Sequence, residues 1–160
     1  MRIAVSGHRG LPAATVRLVD EAIREWLSSA DGDLTGLSCL ADGADQIFAR
    51  AVLDAGGLLE VIVPAAGYRD GLPSDARVGY DALLQAASAI DRLAFTESTP
   101  EAHMAASELM TSRAYHLLAV RDGQPARGFG GTADVVAAAR KQPVPITVIW
   151  PVGATRDEPG

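Results

Sequence analysis

The feature that most constrains this chain is the regular alternation of short apolar runs with stretches of helical periodicity. Six runs have the length of a strand and are bounded by turn residues: residues 3–6, 36–40, 58–63, 90–95, 116–120 and 146–150. Several are apolar at consecutive rather than alternate positions, as is typical of strands that are covered on both faces. We therefore expect a mostly parallel sheet of about six strands.

Five helices are predicted between these strands. Residues 16–27 carry one apolar stripe, and residues 44–55 carry a second that ends at two glycines. The remaining helices are predicted over residues 74–87, 101–113 and 133–141. A strict alternation of strand and helix specifies helices on both faces of the sheet. The fold class is therefore α/β, a three-layer α/β/α sandwich.

Length and composition indicate one ordinary globular domain. Of the 160 residues, 48% are hydrophobic and 21% are charged, so the chain is too apolar to be disordered and long enough to bury a core. We predict a single domain over residues 1–151 and a flexible C-terminal tail over residues 152–160.

Charge and motif content narrow the range of partners. The net charge is −6 and no basic cluster is present, which predicts that the chain does not bind nucleic acid nonspecifically. The single Cys39 excludes an internal disulfide, and no spacing of ligand side chains predicts a metal site or a cofactor. No signal-peptide pattern or long apolar segment is present, so we expect a cytoplasmic protein without membrane contact.

The first turn of interest follows the first predicted strand. In an open parallel sheet, ligands bind outside the carboxyl ends of the strands. Here Gly7 allows close approach of a ligand to the backbone, while His8 and Arg9 supply donors, and an arginine suits a bidentate phosphate contact. The alternative interpretation is an ordinary tight turn with two exposed polar side chains.

The second turn carries two carboxylates. Asp42 is most simply the N-cap of the second helix, Gly43 follows it, and Asp45 is a favourable first-turn acid. Two negative charges make this helix start a poor phosphate site. They suit ribose hydroxyls instead, as an acidic residue does in dinucleotide-binding folds.

The third turn lies between the fifth strand and the last helix. Gly130 and Gly131 followed by Thr132 at a helix start supply free N–H groups, a positive dipole end and a hydroxyl, which together predict an anion site. The alternative is a flexible loop with Thr132 as N-cap. Two further positions are weaker: His103 is interpreted as a solvated helical residue, and Tyr68 either covers a base or sugar or lies in a surface loop.

Taken together, residues 6–9, 40–45 and 130–136 resemble the SLOG superfamily. This group includes the Lonely Guy phosphoribohydrolases, once called lysine decarboxylases, and DNA-processing protein A. The resemblance covers residues 3–150. It implies a Rossmann-like sheet that binds nucleotides or nucleotide-derived ligands over these turns, often in homodimers or higher homo-oligomers.

The resemblance also assigns roles to individual residues. Gly7 and its neighbours would line the sugar-phosphate side of the ligand, and Gly130, Gly131 and Thr132 would hold a phosphate. The hydrolase branch has a proline before its glycine pair and a catalytic glutamate three positions after the threonine. This chain departs from that pattern, with Phe129 and Val135 at those positions.

Asp134 is the carboxylate nearest to the missing glutamate. It lies one position away, which is about 100° around a helix. The basic motif of the hydrolase loop is also absent, and Arg113 and Arg127 are the nearest candidates. These departures predict little or no hydrolase activity.

The sequence therefore favours a protein that binds a nucleotide or a phosphorylated riboside, as a sensor or carrier. The competing hypothesis is a Lonely Guy-like hydrolase of nucleoside monophosphates, with Asp134 or Asp45 as its carboxylate and Arg9 or Arg127 clamping the phosphate. A third is an interaction module with a vestigial pocket. Whether the chain is an enzyme stays open at this point.

Overall fold

Six strands form one sheet in the computed structural model, which describes residues 1–30, 32–124 and 131–156. The strands are β1 (Arg2–Gly7), β2 (Thr35–Ser38), β3 (Leu58–Ala65), β4 (Ala89–Phe95), β5 (His116–Val120) and β6 (Ile146–Ile149). Their order across the sheet is β4-β3-β2-β1-β5-β6, and neighbouring strands are parallel. The predicted parallel sheet is confirmed.

Among the described residues, five α-helices connect the strands. They are α1 (Ala13–Ser28), α2 (Ala44–Asp54), α3 (Arg77–Ala86), α4 (Pro100–Arg113) and α5 (Thr132–Ala139). One core cluster contains side chains of α1 and α2, and the other contains side chains of α4 and α5 together with some from α2 and α3. The central strands β1 and β5 contribute to both clusters, which confirms the predicted α/β/α sandwich.

The alternation of β1 shows why its apolar residues are consecutive. Ile3 and Val5 belong to the cluster of α1 and α2, while Ala4 belongs to the cluster of α4 and α5. In β5, Leu117 and Leu118 divide between the two clusters in the same way. Successive side chains of a strand point to opposite faces, so a strand that is covered on both faces needs an apolar residue at every position.

The edge strand β4 is less covered than the apolar run predicts. Ile90 is 40% exposed and Phe95 is 42% exposed, and the other residues of the strand are exposed or half-buried. The helix α3 packs beside α2, and it covers β4 less than α2 covers β2. The periodicity of a run identifies a strand but does not reveal its place in the sheet.

The end of β2 differs from the prediction by two residues. The strand ends at Ser38, whose Oγ accepts a hydrogen bond from the N–H of Leu40 at 3.0 Å and donates one to the carbonyl of Asp45 at 3.2 Å. Leu40 has a φ of 60°, in the left-handed region. The side chain of Ser38 therefore replaces the strand ladder and turns the chain towards α2.

Residues 151–156 follow β6 and contact the helical layer. The N–H of Ala154 donates to the carbonyl of Pro151 at 3.0 Å, and Thr155 makes two hydrogen bonds to Thr15 in α1. The domain boundary at residue 151 stays a prediction. Among the described residues, no helix is long and apolar enough to cross a membrane.

Candidate functional site

A cavity of about 280 Å³ opens at the carboxyl end of β1, next to β5, and extends across the ends of β2 and β3. From β1 the chain builds β2, β3 and β4 on one side, and it then returns to place β5 and β6 on the other side of β1. The strand order therefore reverses between β1 and β5. Ligands of open α/β sheets bind in the crevice at such a switch point.

One wall of the cavity is polar and cationic. It contains Gly7, His8 and Arg9 from the turn after β1, and Gly131 and Thr132 from the start of α5. Thr132 is buried, and Gly131 is the N-cap residue of the helix. A further cationic side chain, that of Arg156, reaches this wall from the segment after β6.

A second part of the lining, the aromatic wall, is mainly apolar and aromatic. It is formed by Cys39, Pro64, Tyr68, His103 and Met110, which lie around the ends of β2 and β3 and on α4. The rings of Tyr68 and His103 meet edge to face, with centroids 5.5 Å apart. The expectation of a solvated His103 is corrected, because this ring is half-buried against Tyr68 and hydrogen-bonds Ser98 Oγ at 2.7 Å.

Asp45 is a buried carboxyl in the lining of this cavity. Its Oδ2 accepts a hydrogen bond from the N–H of Ala41 at 3.3 Å. Burial raises the pKa of Asp45 to about 7, although the Ala41 N–H and the positive charge of Arg9 oppose this. Asp45 can therefore either accept or donate a hydrogen bond at neutral pH.

His8 is a buried and neutral part of the polar wall. The N–H of Asp122 donates to its Nε2 at 2.9 Å, so the neutral ring carries its proton on Nδ1. Burial lowers the pKa of His8, the charge of Arg156 lowers it further, and Asp122 acts in the opposite direction. The edge of the ring packs against Trp150, with centroids 5.6 Å apart.

Arg9 and Asp42 form an ion pair between the first two turns. The Nε–H of Arg9 donates to Asp42 Oδ1 at 2.7 Å, and the N–H of Gly10 donates to Asp42 Oδ2 at 3.0 Å. The predicted N-cap role of Asp42 is not observed, because Gly43 precedes α2 and the helix has no side-chain cap. The carboxylate instead organises the arginine-bearing turn.

The glycines of these turns are required by close packing. A Cβ on Gly7 would lie 2.2 Å from the Cβ of Ala44, and a Cβ on Gly43 would lie 2.5 Å from the carbonyl oxygen of His8. Gly43 also has a φ of +87°, a conformation that favours glycine. These contacts bring the start of α2 directly against the turn after β1, which places Asp45 near Arg9.

The two candidate catalytic carboxylates, Asp45 on α2 and Asp134 on α5, differ in whether they face the cavity. Val135 is buried in the core cluster that contains α4, and Asp134 is half-buried and is not among the residues that line the cavity. Of the two carboxylates that the sequence suggested for catalysis, Asp45 therefore faces the cavity and Asp134 does not.

The structure brings most of the candidate ligand-binding residues together. The cavity is lined by Gly7, His8, Arg9, Asp45, Gly131 and Thr132. Asp42 and Gly43 lie behind this lining, and Gly130 and Arg127 are outside the described residues. Arg113, the other basic candidate, pairs with Asp91 on β4.

Sequence reasoning missed several residues of the lining. Ser107 and Met110 come from α4, and Arg156 comes from the predicted tail. None of them follows a strand directly, so the search for polar strand-end turns could not find them. Within the described residues, no group of three histidines, cysteines or carboxylates could hold a metal ion.

Solved structures of the same fold include DNA processing protein A (DprA) from Streptococcus pneumoniae. It superposes with a TM-score of 0.65 at 16% identity, over 95% of this chain and 51% of that chain. DprA from Helicobacter pylori has a TM-score of 0.63 at 14% identity, over 98% and 68%. The protein TM1055 has a TM-score of 0.58 at 14% identity, over 91% and 71%. This chain thus spans about half the length of the pneumococcal protein.

These likenesses correct the prediction about nucleic acid. The Helicobacter pylori structure describes a binding mode for single-stranded DNA, so the prediction that net charge excludes nucleic acid for a chain of this fold is wrong. The physical reason is that net charge is a sum over the whole chain, whereas single strands are bound by local cationic grooves and by stacking of bases on aromatic side chains.

No protein-family model and no curated protein matches the sequence. At the identities of the solved structures, the likeness shows the fold. The fold that the resemblance of the three strand-end turns implied is confirmed: the chain has the Rossmann-like α/β fold of these solved structures.

Proposed function

We propose that this protein binds a nucleotide, or a related phosphorylated riboside, in the cavity at the carboxyl ends of β1 and β5. The observation that carries the proposal is that the lining of one cavity combines three parts: cationic groups, apolar and aromatic side chains, and the buried carboxyl of Asp45. Such a ligand has an anionic phosphate, a sugar with hydroxyl groups and an apolar base, which correspond to these three parts.

The phosphate is proposed to lie against Arg9, Gly131 and Thr132. An arginine next to a helix N-terminus combines a charge-assisted donor with backbone N–H groups and the positive end of the helix dipole. Arg9 is tethered at its Nε by Asp42, so its guanidinium is held in place near this position.

The base is proposed to pack against Tyr68 and Met110. Tyr68 is fixed by burial and by its contact with His103, and the thioether of Met110 adapts to an aromatic ring. The ribose then lies near Asp45, whose carboxyl can accept or donate a hydrogen bond. A cavity of about 280 Å³ is at the lower end of the usual range for small-molecule pockets and favours a mononucleotide over a dinucleotide.

The test is a binding panel on the purified full chain. The four ribonucleoside monophosphates, their nucleosides, ribose 5-phosphate and a short single-stranded oligonucleotide are compared by thermal shift and calorimetry. At a hundredfold excess over Kd, a true ligand should raise the Tm by roughly 5 to 10 °C. Absence of any shift across this panel at millimolar concentration would contradict the proposal and favour an interaction module.

A second candidate is hydrolysis of the N-glycosidic bond of a nucleoside monophosphate. It is favoured by the Asp45 carboxyl, because an acid with a pKa of about 7 inside a cavity can protonate a leaving base. It is disfavoured by the burial of Val135 in the core at the position of the missing glutamate. Release of free base from monophosphates, abolished in Asp45→Asn, would establish it.

The assembly, location and extent of the domain remain proposals. We propose a homodimer or higher homo-oligomer in the cytoplasm, with residues 1–151 as the nucleotide-binding domain. Native mass spectrometry on freshly purified protein measures the oligomeric state and also detects a co-purifying ligand. A strictly monomeric mass would contradict the proposed assembly.

A further inference from the structure

The segment after β6 passes the first turn of α1 and reaches the cavity. Trp150 packs against His8, and the chain then turns at Pro151 and Ala154, where a backbone hydrogen bond of 3.0 Å closes the turn. The next two residues are Thr155 and Arg156. They bring the chain to the cationic wall, which is otherwise formed by the turn after β1 and the start of α5.

Both backbone polar groups of Thr155 are hydrogen-bonded to the side chain of Thr15, and this pair of hydrogen bonds is called the latch. The hydroxyl of Thr15 donates to the carbonyl of Thr155 at 2.8 Å and accepts the N–H of Thr155 at 2.9 Å. Thr15 is buried in the first turn of α1, so its hydroxyl has a fixed position. Because both backbone polar groups of Thr155 are engaged by one side chain, the peptide plane that leads to Arg156 is held in place.

Arg156 is the residue that the latch orients. Its side chain is only 14% exposed, it lines the cavity, and its Nη1 lies 3.8 Å from Asp122 Oδ2. The charge of Arg156 also contributes to the lowered pKa of His8, which indicates that the guanidinium lies close to this wall. A guanidinium held in this way presents a planar fork of donors that matches phosphate oxygens.

Two guanidinium groups lie in the lining of the cavity. Arg9 pairs with Asp42 and Arg156 lies near Asp122, so these four side chains carry no net charge together, and what the arginines add to the lining is directed N–H donors. A phosphomonoester has three acceptor oxygens and about two negative charges at neutral pH, so donors from two guanidinium groups can bind its oxygens at the same time.

We propose that Arg156 is a ligand-binding residue for the terminal phosphate of a phosphomonoester, and that Thr15 is a positioning residue that holds it there. This inference rests on the proposed nucleotide-binding function and narrows the ligand class to nucleoside monophosphates over nucleosides. Arg156 acts through its charge and donor geometry, and Thr15 acts only through the backbone of Thr155.

The test compares each ribonucleoside monophosphate with its own nucleoside by calorimetry. In Arg156→Gln, which keeps a long polar side chain, monophosphate affinity should fall roughly ten- to hundredfold, because a hydrogen bond to a charged group is lost. Nucleoside affinity should not change. Arg17→Ala removes one positive charge from an exposed position on α1 outside the cavity lining, and it should leave both affinities at the parent values.

The latch is tested separately. Thr15→Val removes the hydroxyl but keeps the shape of the side chain, and it should also weaken monophosphate binding selectively, while Thr15→Ser should restore it. Circular dichroism tests whether each variant is folded. A further variant, Arg156→Lys, retains the positive charge but lacks the planar fork of donors. It should bind monophosphates more weakly than the parent.

The outcomes separate the two proposals. If the parent binds monophosphates and Arg156→Gln binds them equally well, the role of Arg156 is overturned while the proposed function stands. If the parent binds nucleosides and monophosphates with equal affinity, the phosphomonoester class is overturned. If the parent binds neither, the proposed function fails and the inference fails with it.

Discussion

Asp45 is a residue of the candidate site whose ionisation lowers the stability of the folded protein. Its pKa is raised from 3.8 to about 7 by burial, so the folded state binds this proton more tightly than the unfolded state does. The stabilising effect of the bound proton is complete below about pH 4, and it is lost as the pH rises through about 7. A buried carboxyl that destabilises the fold at neutral pH is typical of a functional position.

Replacing Asp45 with asparagine should therefore stabilise the protein in alkaline solution. Asparagine keeps an acceptor for the N–H of Ala41 but does not ionise. At 1.36 kcal/mol per pKa unit, the gain over the parent should approach roughly 4 kcal/mol above pH 7 and vanish towards pH 4. Urea unfolding across this range measures it. The control is Asp42→Asn, which removes an ion pair with Arg9 and should show no such alkaline gain. Parallel curves for Asp45→Asn and the parent would contradict the assignment.

Which site residues the sequence could reveal depends on their place in the chain. Arg9 and Asp45 could be identified because they follow strands closely, and parallel strands bring their carboxyl ends to one edge. Thr132 could be identified because it follows a glycine pair at a helix start. Arg156 could not, because its approach depends on hydrogen bonds between Thr155 and Thr15, which are 140 residues apart. Asp42 was identified, but its pairing with Arg9 depends on how closely two turns pack, and local capping preference does not contain that information.

At the scale of elements, the junction of the β1 turn with α2 carries the tightest packing. The N–H of Ala44 donates to the carbonyl of His8 at 3.3 Å, across Gly43. Gly43 combines a positive φ with a close approach, whereas Gly56 at the end of α2 has a similar φ of +83° and no atom within 4 Å of an added Cβ. Gly56 therefore has a positive φ without a close contact, whereas Gly43 has the close contact and a ψ of −131° as well.

Gly43→Ala should destabilise the fold more than Gly56→Ala. The positive φ is expected to cost about 1–2 kcal/mol at Gly56. At Gly43 the unusual pair of φ and ψ should cost about 1–3 kcal/mol, and the clash with His8 should add about 1–3 kcal/mol. Urea unfolding at fixed pH gives both values. Equal losses would mean that the junction relaxes freely, and the close approach would then not be what positions Asp45.

The elements themselves were predictable because their patterns are local. Apolar stripes with a period of 3.6 residues predict α1 and α2, and short, mostly apolar runs predict the six strands, which coincide with the observed ones except at their ends. The patterns of α3 and α4 are less regular, and α4 has no clear apolar stripe. The periodicity does not show which strands are neighbours in the sheet. The exposure of β4 and the end of β2 at Ser38 both result from tertiary contacts, and both depart from the prediction.

At the scale of the whole molecule, the strand order determines where a ligand can bind. Placing β5 on the far side of β1 opens the crevice and brings together residues from both halves of the chain. Net charge was a poor guide at this scale. A sum of −6 contains no information about where the arginines lie, and two of them, Arg9 and Arg156, lie in the lining of one cavity.

The proposed site makes a prediction about protection of the backbone across the whole molecule. A ligand at the switch point contacts the turn after β1, the start of α5 and residues 151–156, so these segments should exchange their amide hydrogens more slowly when a monophosphate is bound. Because α1 runs from the carboxyl ends of the strands to their amino ends, the exchange of its C-terminal half should change only as much as global stability does. Hydrogen exchange measured with and without saturating monophosphate tests this, and the matching nucleoside serves as the control that lacks the phosphate. Slowed exchange at the Gly131 and Arg156 segments with the monophosphate, and less with the nucleoside, would place the phosphate at the cationic wall. Slowing centred on the C-terminal half of α1 would place the ligand at the amino ends of the strands and contradict the cavity as its site.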